Sequence, residues 1–241
     1  FWQTILLNER AYSVSPFLPH AQLPIGKEHF VPGETERIKW DSYGGTGTFD
    51  LEYSTDNGTS YTPIASGISS STRNYAWSVP AHTSGEVIVR IKRGSLSSQS
   101  IEPFNIMNLA TNLQVIWACG SNVMLKWDAH PTATHYRVTR LGAKYMDSIG
   151  VTSNTYFLTT GNSTTVDEYY SVQAYGADGA LSRRVIAIKK TPGDINCTGS
   201  DVSVISSNTS AAYIPSCLAG SQFSIKATIL NAGTNTVSNT P

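Results

Sequence analysis

"RIKWD" at 37–41 and "MLKWD" at 124–128 are the same short strand met twice, displaced by 87 residues (124 minus 37). That displacement is about the length of one β-sandwich domain. In each copy, alternation sends Ile38 and Trp40, or Leu125 and Trp127, to one face and the Lys and Asp neighbours to the other, so the Trp belongs to a core and the charges to water. The pattern runs on in both copies. After "IKWD" come "TFDLEYS", with Phe49, Leu51 and Tyr53 on one face, then "RNYAWSV" and "EVIVRIK". After "LKWD" come "HYRVTR", with Tyr136 and Val138 inward, "NTYFLT", "YYSVQAYG", with Tyr170, Val172 and Ala174 inward, and "RRVIAIK". About seven short strands per repeat at this spacing predict an all-β chain of tandem antiparallel sandwiches.

Composition agrees. Only 14% of the 241 residues are charged, while Ser, Thr, Asn, Gly and Tyr are plentiful, which suits short strands joined by hydroxyl- and amide-capped turns. Seventeen basic residues cancel seventeen acidic ones, and no linear Lys/Arg cluster stands out, so neither a nucleic-acid partner nor an anionic membrane surface is expected. The longest apolar run, "LQVIWAC", is far short of the roughly 20 residues that span a bilayer, so no membrane span is expected. The chain divides into 1–27, the end of a preceding unit or a linker, then sandwiches at 28–106 and 107–196, and at 197–241 the first strands of a third, incomplete sandwich. "FWQTILLNERAYSV" reads as a strand-rich piece entered midway, and "FSIKATILNAGTNTVSNTP" stops as a new pattern begins, so a segment of something larger is expected.

Residues 109–192 resemble a fibronectin type III domain, on the strength of Trp127, the Tyr-x-Val of Tyr136 and Val138, the Tyr-x-Val-x-Ala of Tyr170, Val172 and Ala174, and the following "GADGALS". The unit at 28–106 resembles an immunoglobulin-like sandwich. "LGAKYMDSIGVTSNT" resembles linker modules of large bacterial surface proteins and proteases exported by the type IX route, and the third unit resembles adhesion-type sandwiches. Within the type IX resemblance, Asp147-Ser148-Ile149 is similar to an O-glycosylation site, with Ser148 as the candidate acceptor. Asn57, Asn162, Asn196 and Asn208 each open an Asn-x-Ser/Thr triplet, a frequency expected by chance in so hydroxyl-rich a chain.

Three cysteines, Cys119, Cys197 and Cys217, forbid complete internal pairing. In a fibronectin-type sandwich the turn after strand one and the end of strand seven share a pole, which implies a Cys119–Cys197 disulfide and places Cys217 at the far pole of the third unit. Closing that loop of 78 residues (197 minus 119) stabilises by about 4–5 kcal/mol in the chain-entropy model. The competing reading is three free thiols in a cytosolic protein; the repeated, hydroxyl-rich sandwich pattern favours export.

One motif raises the question of catalysis. Ser54-Thr55-Asp56-Asn57-Gly58-Thr59-Ser60-Tyr61 resembles the Asp-box of sialidase blades. Asp56 is expected to accept hydrogen bonds across the turn, Gly58 to supply a positive φ, and Tyr61 to plug the loop from beneath, all structural roles shared with Ser54. A sialidase needs several such hairpins, an arginine cluster and a Tyr nucleophile with an acidic partner, which one hairpin does not provide. "STDNGT" offers too few carboxylates for a calcium cage, and the five histidines, among them His130 and His135 read as solvated turn residues, show no zinc spacing. No catalytic, metal or cofactor site is expected. Tyr169 and Tyr175, outward on their strand, with Tyr43 and Tyr145 near turns, are the residues from which a sugar-stacking platform would be built. They read more simply as scattered surface tyrosines.

The reading of function is a non-catalytic accessory or spacer segment of a large secreted or outer-surface bacterial protein, whose partners are the neighbouring domains of its own chain, export machinery, or a surface glycan or protein. The alternatives are a glycan- or protein-binding adhesion module and a non-catalytic part of a secreted protease or hydrolase.

Overall fold

The computed structural model describes residues 19–194 and the backbone of two later strands, Val202–Ser207 and Ala227–Asn231. The described chain is strand throughout, apart from turns and one 3-10 turn at Pro192–Asp194. Among the described residues no helix is long and apolar enough to cross a membrane.

The first sandwich contains β1 (His20–Leu23), β2 (His29–Phe30), β3 (Thr35–Asp41), β4 (Phe49–Ser54), β5 (Thr62–Ile68), β6 (Asn74–Ser78), β7 (Ser84–Arg93), β8 (Leu96–Gln99) and β9 (Phe104–Ile106). One sheet runs β1-β3-β6. The facing sheet runs β2-β9-β7-β4-β5, with β8 also paired to β7. Every pairing is antiparallel except β2 with β9, which lie parallel with His29 opposite Asn105.

The second sandwich contains β10 (Gln114–Cys119), β11 (Asn122–Lys126), β12 (Ala133–Leu141), β13 (Met146–Thr152), β14 (Tyr156–Thr159), β15 (Glu168–Gly176) and β16 (Ile188–Lys190). Its sheets run β10-β11-β14 and β13-β12-β15-β16. Set β1, β3, β4, β5, β6, β7 and β9 beside β10 to β16 in order, and the two sandwiches share one strand plan: first, second and fifth strands face fourth, third, sixth and seventh. This is the fibronectin type III arrangement, and the first unit shares it, with β2 and β8 as additions. The strands later in the chain, β17 (Val202–Ser207) and β18 (Ala227–Asn231), pair antiparallel.

The repeat persists in the packing. Trp40 and Trp127 are both 1% exposed. Trp40 meets Phe49 edge-on at 5.4 Å and 67°, and Trp127 meets Tyr136 edge-on at 5.3 Å and 65°. In both pairs the partner lies nine residues on (49 minus 40, 136 minus 127). Such pairs contribute roughly 0.5–1.5 kcal/mol beyond the apolar area they bury. Around them, Ile38, Leu51, Val87, Val89 and Ile91 fill the first core, and Leu125, Val138, Tyr170, Val172 and Ala174 fill the second.

No linker separates the cores. Ile106, the last residue of β9, is buried in the first, and Met107, the next residue, in the second. The Met107 amide donates back to the Phe30 carbonyl at 3.1 Å.

Candidate functional site

Three places concentrate organised polar groups: the 54–61 hairpin, the exit pole of the second sandwich and the junction between the sandwiches.

In the hairpin between β4 and β5, the Ser54 hydroxyl donates to Asp56 Oδ1 at 2.6 Å and accepts from the Gly58 amide at 2.8 Å. Asp56 also accepts from the Ser60 amide at 2.9 Å and from the Ser60 hydroxyl at 2.5 Å. The hydroxyls of Ser54 and Ser60, then the Ser60 amide, hold the Asp56 carboxyl down to about 2. A carboxyl so acidic is ionised at neutral pH and is too weak a base to take up a substrate proton there, so it suits anchoring better than general acid–base chemistry. Asn57 at φ 54° and Gly58 at φ 85° make the reversal, and Gly is the residue that takes such a backbone without strain. Tyr61 is half-buried and sets its hydroxyl against the turn, where a Cβ on Gly58 would stand 3.0 Å from it; it carries the Arg90 guanidinium 3.4 Å from its ring centroid and donates to Gln99 Oε1 at 2.9 Å. Arg90 reaches that ring because Glu52, one strand over, holds it at 2.6 Å. Tyr61 is therefore in contact with a cation as well as with the loop.

His130 and His135 depart from the expected solvated turn positions. His130 is half-buried, its Nε2 is enclosed without a hydrogen-bond partner, and burial pushes its imidazole below the ordinary value. His135 lies within β12 and stacks on Tyr175 at 4.6 Å and 22°. The Arg137 guanidinium lies 4.9 Å from the same Tyr175 ring, which leaves it a poor platform for a sugar. Tyr43 and Tyr145 are each about two-thirds exposed but belong to different sandwiches. Among the described residues no group of three or more His, Cys, Asp or Glu is placed to hold a metal.

At the exit pole of the second sandwich, Asn162 is buried at the centre of a polar network. Its Nδ2 donates to the carbonyls of Ser121 at 2.7 Å and Thr159 at 2.9 Å, while its Oδ1 accepts from the Tyr170 hydroxyl at 2.7 Å and Arg140 at 2.9 Å. Lys190, fully buried at the end of β16, donates to the Ser163 carbonyl at 2.5 Å. Burial pushes the Tyr170 phenol above its ordinary value. The turn carrying Ser121 and the end of β16 thus share one pole. Cys119, at the end of β10, is engaged rather than free; Cys197 and Cys217 lie outside the described residues. Ser148 is exposed on β13, opposite Thr139.

The junction is closed by contacts from both sides. His29 Nδ1 donates to the Leu181 carbonyl at 2.9 Å, and the Leu181 amide donates to Asn105 Oδ1 at 3.0 Å. The Gly85 amide donates to Asp178 Oδ2 at 3.2 Å, and Arg183 Nη2 donates to both carboxylate oxygens of Glu34. A Cβ on Gly85 would stand 2.8 Å from the Ala180 nitrogen and the Gly179 carbonyl carbon, so only glycine lets the two backbones approach this closely. "GADGALS", read as a fibronectin-type loop, turns out to be the second sandwich's docking loop. No signal in the sequence singled out Gly85 or Asn162.

No family model and no curated protein matches this chain. Among solved structures, the chain is similar to a cytokine receptor complex at 13% identity, over 67% of this chain and 93% of that one, with a TM-score of 0.44. It is similar to the fibronectin(III)-like modules of Clostridium thermocellum CbhA at 14% identity, over 72% and 93%, with a TM-score of 0.32. It is also similar to an Fn3-like protein from Clostridium thermocellum at 25% identity, over 33% and 86%, with a TM-score of 0.30.

Proposed function

We propose that this chain is a non-catalytic, rigid spacer segment of a larger secreted or cell-surface protein, holding its neighbouring domains at a fixed distance and angle. The observation that carries the reading is the junction, where consecutive residues Ile106 and Met107 are buried in different cores. A flexible connection needs several residues free of either domain. Here there are none, and the contacts of Gly85, His29, Asn105 and Glu34 resist bending from several sides.

Export fits the same reading through Cys119. The shared pole of the Ser121 turn and the β16 end supports a Cys119–Cys197 disulfide, which would fasten the exit from the second sandwich as well. Finer still, the "LGAKYMDSIGVTSNT" run supports a bacterial type IX-exported parent, with Ser148 as an exposed acceptor for O-glycosylation. The 54–61 hairpin takes a structural role, with Ser54, Asp56 and Gly58 closing the turn.

Residual dipolar couplings test the spacer reading. If it is right, couplings from both sandwiches fit a single alignment tensor; tensors of different magnitude for the two would defeat it. Non-reducing peptide mapping tests the export reading, with Cys119 linked to Cys197 expected and fully reduced thiols in freshly isolated protein counting against it. Sialidase and peptidase assays on the purified chain are expected to show no turnover, and activity that disappears in Asp56→Ala would overturn the structural role of the hairpin.

A further inference from the structure

Folding assembles a cationic cleft that the linear charge pattern conceals. Arg137 lies 46 residues before Arg183 (183 minus 137), yet the two line one cleft of about 530 Å³ at the junction, together with Arg184, His29, Thr139 and Ser148. Arg183 is neutralised by Glu34. The other two guanidiniums have no carboxylate partner among the described residues: Arg184 donates to the Met146 carbonyl at 3.3 Å, and Arg137 lies against the Tyr175 ring. Arg183 Nε is itself buried without an acceptor. The cleft thus has a surplus of planar, forked donors, the arrangement that recognises carboxylates with directional hydrogen bonds.

The surroundings select among carboxylate-bearing ligands. An acidic sugar would be expected to use a bare aromatic face, and the ring beside Arg137 is already stacked by His135 and covered by that arginine. A peptide finds what it needs instead. The cleft is bordered by Met146 and Ser148 of β13, the end strand of its sheet, and an end strand offers unpaired main-chain groups to an extended segment. We propose that this cleft binds an acidic peptide segment of a partner protein, its carboxylates on Arg137 and Arg184 and its main chain beside β13.

Fluorescence anisotropy with the whole, unglycosylated chain tests this, using a dye-labelled hexapeptide of alternating Glu and Val, its Gln-for-Glu counterpart, and a labelled galacturonate trimer. The acidic peptide should bind, more weakly as salt is raised. The Arg137→Gln/Arg184→Gln double variant, checked by thermal melting, should weaken binding about tenfold or more, the effect of losing charge-assisted hydrogen bonds. Glu34→Gln, which releases Arg183, should tighten it. Equal binding of the Gln peptide, no response to either variant, no binding of the acidic peptide, or arginine-dependent binding of the galacturonate alone would each overturn the proposal.

Discussion

Replacing Asn162 with Ala should unsettle the second sandwich far more than its place in a surface-type Asn-x-Ser triplet suggests. The side chain makes four hydrogen bonds, two donated to carbonyls and two accepted from Tyr170 and Arg140. Not all four are lost without compensation. The Ser121 carbonyl keeps the Asn162 amide at 3.0 Å, the Tyr170 hydroxyl keeps Glu168 at 2.9 Å, and Arg140 keeps the Gly161 carbonyl at 3.4 Å. The Thr159 carbonyl stays in the ladder opposite Val123, so what is lost is the net worth of the four bonds at about 0.5–1.5 kcal/mol each, discounted for their surviving partners. A total of about 3 kcal/mol follows, a large fraction of the roughly 5–15 kcal/mol by which a domain is stable. Urea unfolding of the whole chain, with hydrogen exchange on β11 and β14 to assign the transition, measures it. A loss below about 1 kcal/mol, within the usual range for surface substitutions, would show that the network adds little, and efficient glycosylation of folded protein at Asn162 would contradict its burial outright.

Trp40→Ala and Trp127→Ala should each cost about 3–5 kcal/mol and should each loosen its own sandwich, as hydrogen exchange would report; an effect confined to the other sandwich would contradict the two-core packing. The Asp56 carboxyl, held near 2 against an ordinary 3.8, contributes stability to its hairpin that is fully present above the ordinary value and is lost as pH falls through about 2. An NMR titration of the Ser60 amide should follow that midpoint, and one at the ordinary carboxylate value would refute the hydroxyl clamp. Gly85→Val should force the sandwiches apart at the Gly179–Ala180 backbone, giving separate alignment tensors while each core keeps its own exchange protection; an unchanged single tensor would show that the close approach does not fix the angle.

Strands and cores were legible because alternation is a local signal. Ile38, Trp40, Leu125 and Trp127 announce their face within five residues, and burial of one face of a sheet leaves no second solution. The hairpin was legible for the same reason, since Ser54, Asp56 and Gly58 act on one another within a single turn. The cation over Tyr61 was not legible, because Arg90 arrives from another strand. Asn162, Gly85 and the Arg137–Arg183–Arg184 group escaped notice on the same ground. Each acquires its meaning from residues tens of positions away, and a triplet, a lone glycine or a neutral overall charge reads identically whether or not those partners arrive.

The parallel pairing of β2 with β9 bears on what happens when such a chain is pulled from both ends. Tension reaches β2 from the N-terminal side and leaves through β9, drawing the two strands in opposite directions along their common axis. The bonds between them, Asn105 amide to Glu28 carbonyl at 2.8 Å and Met107 amide to Phe30 carbonyl at 3.1 Å, lie across that pull and are strained together in shear, not opened one after another like a zipper. The first sandwich is thereby clamped at the point where force passes into the second.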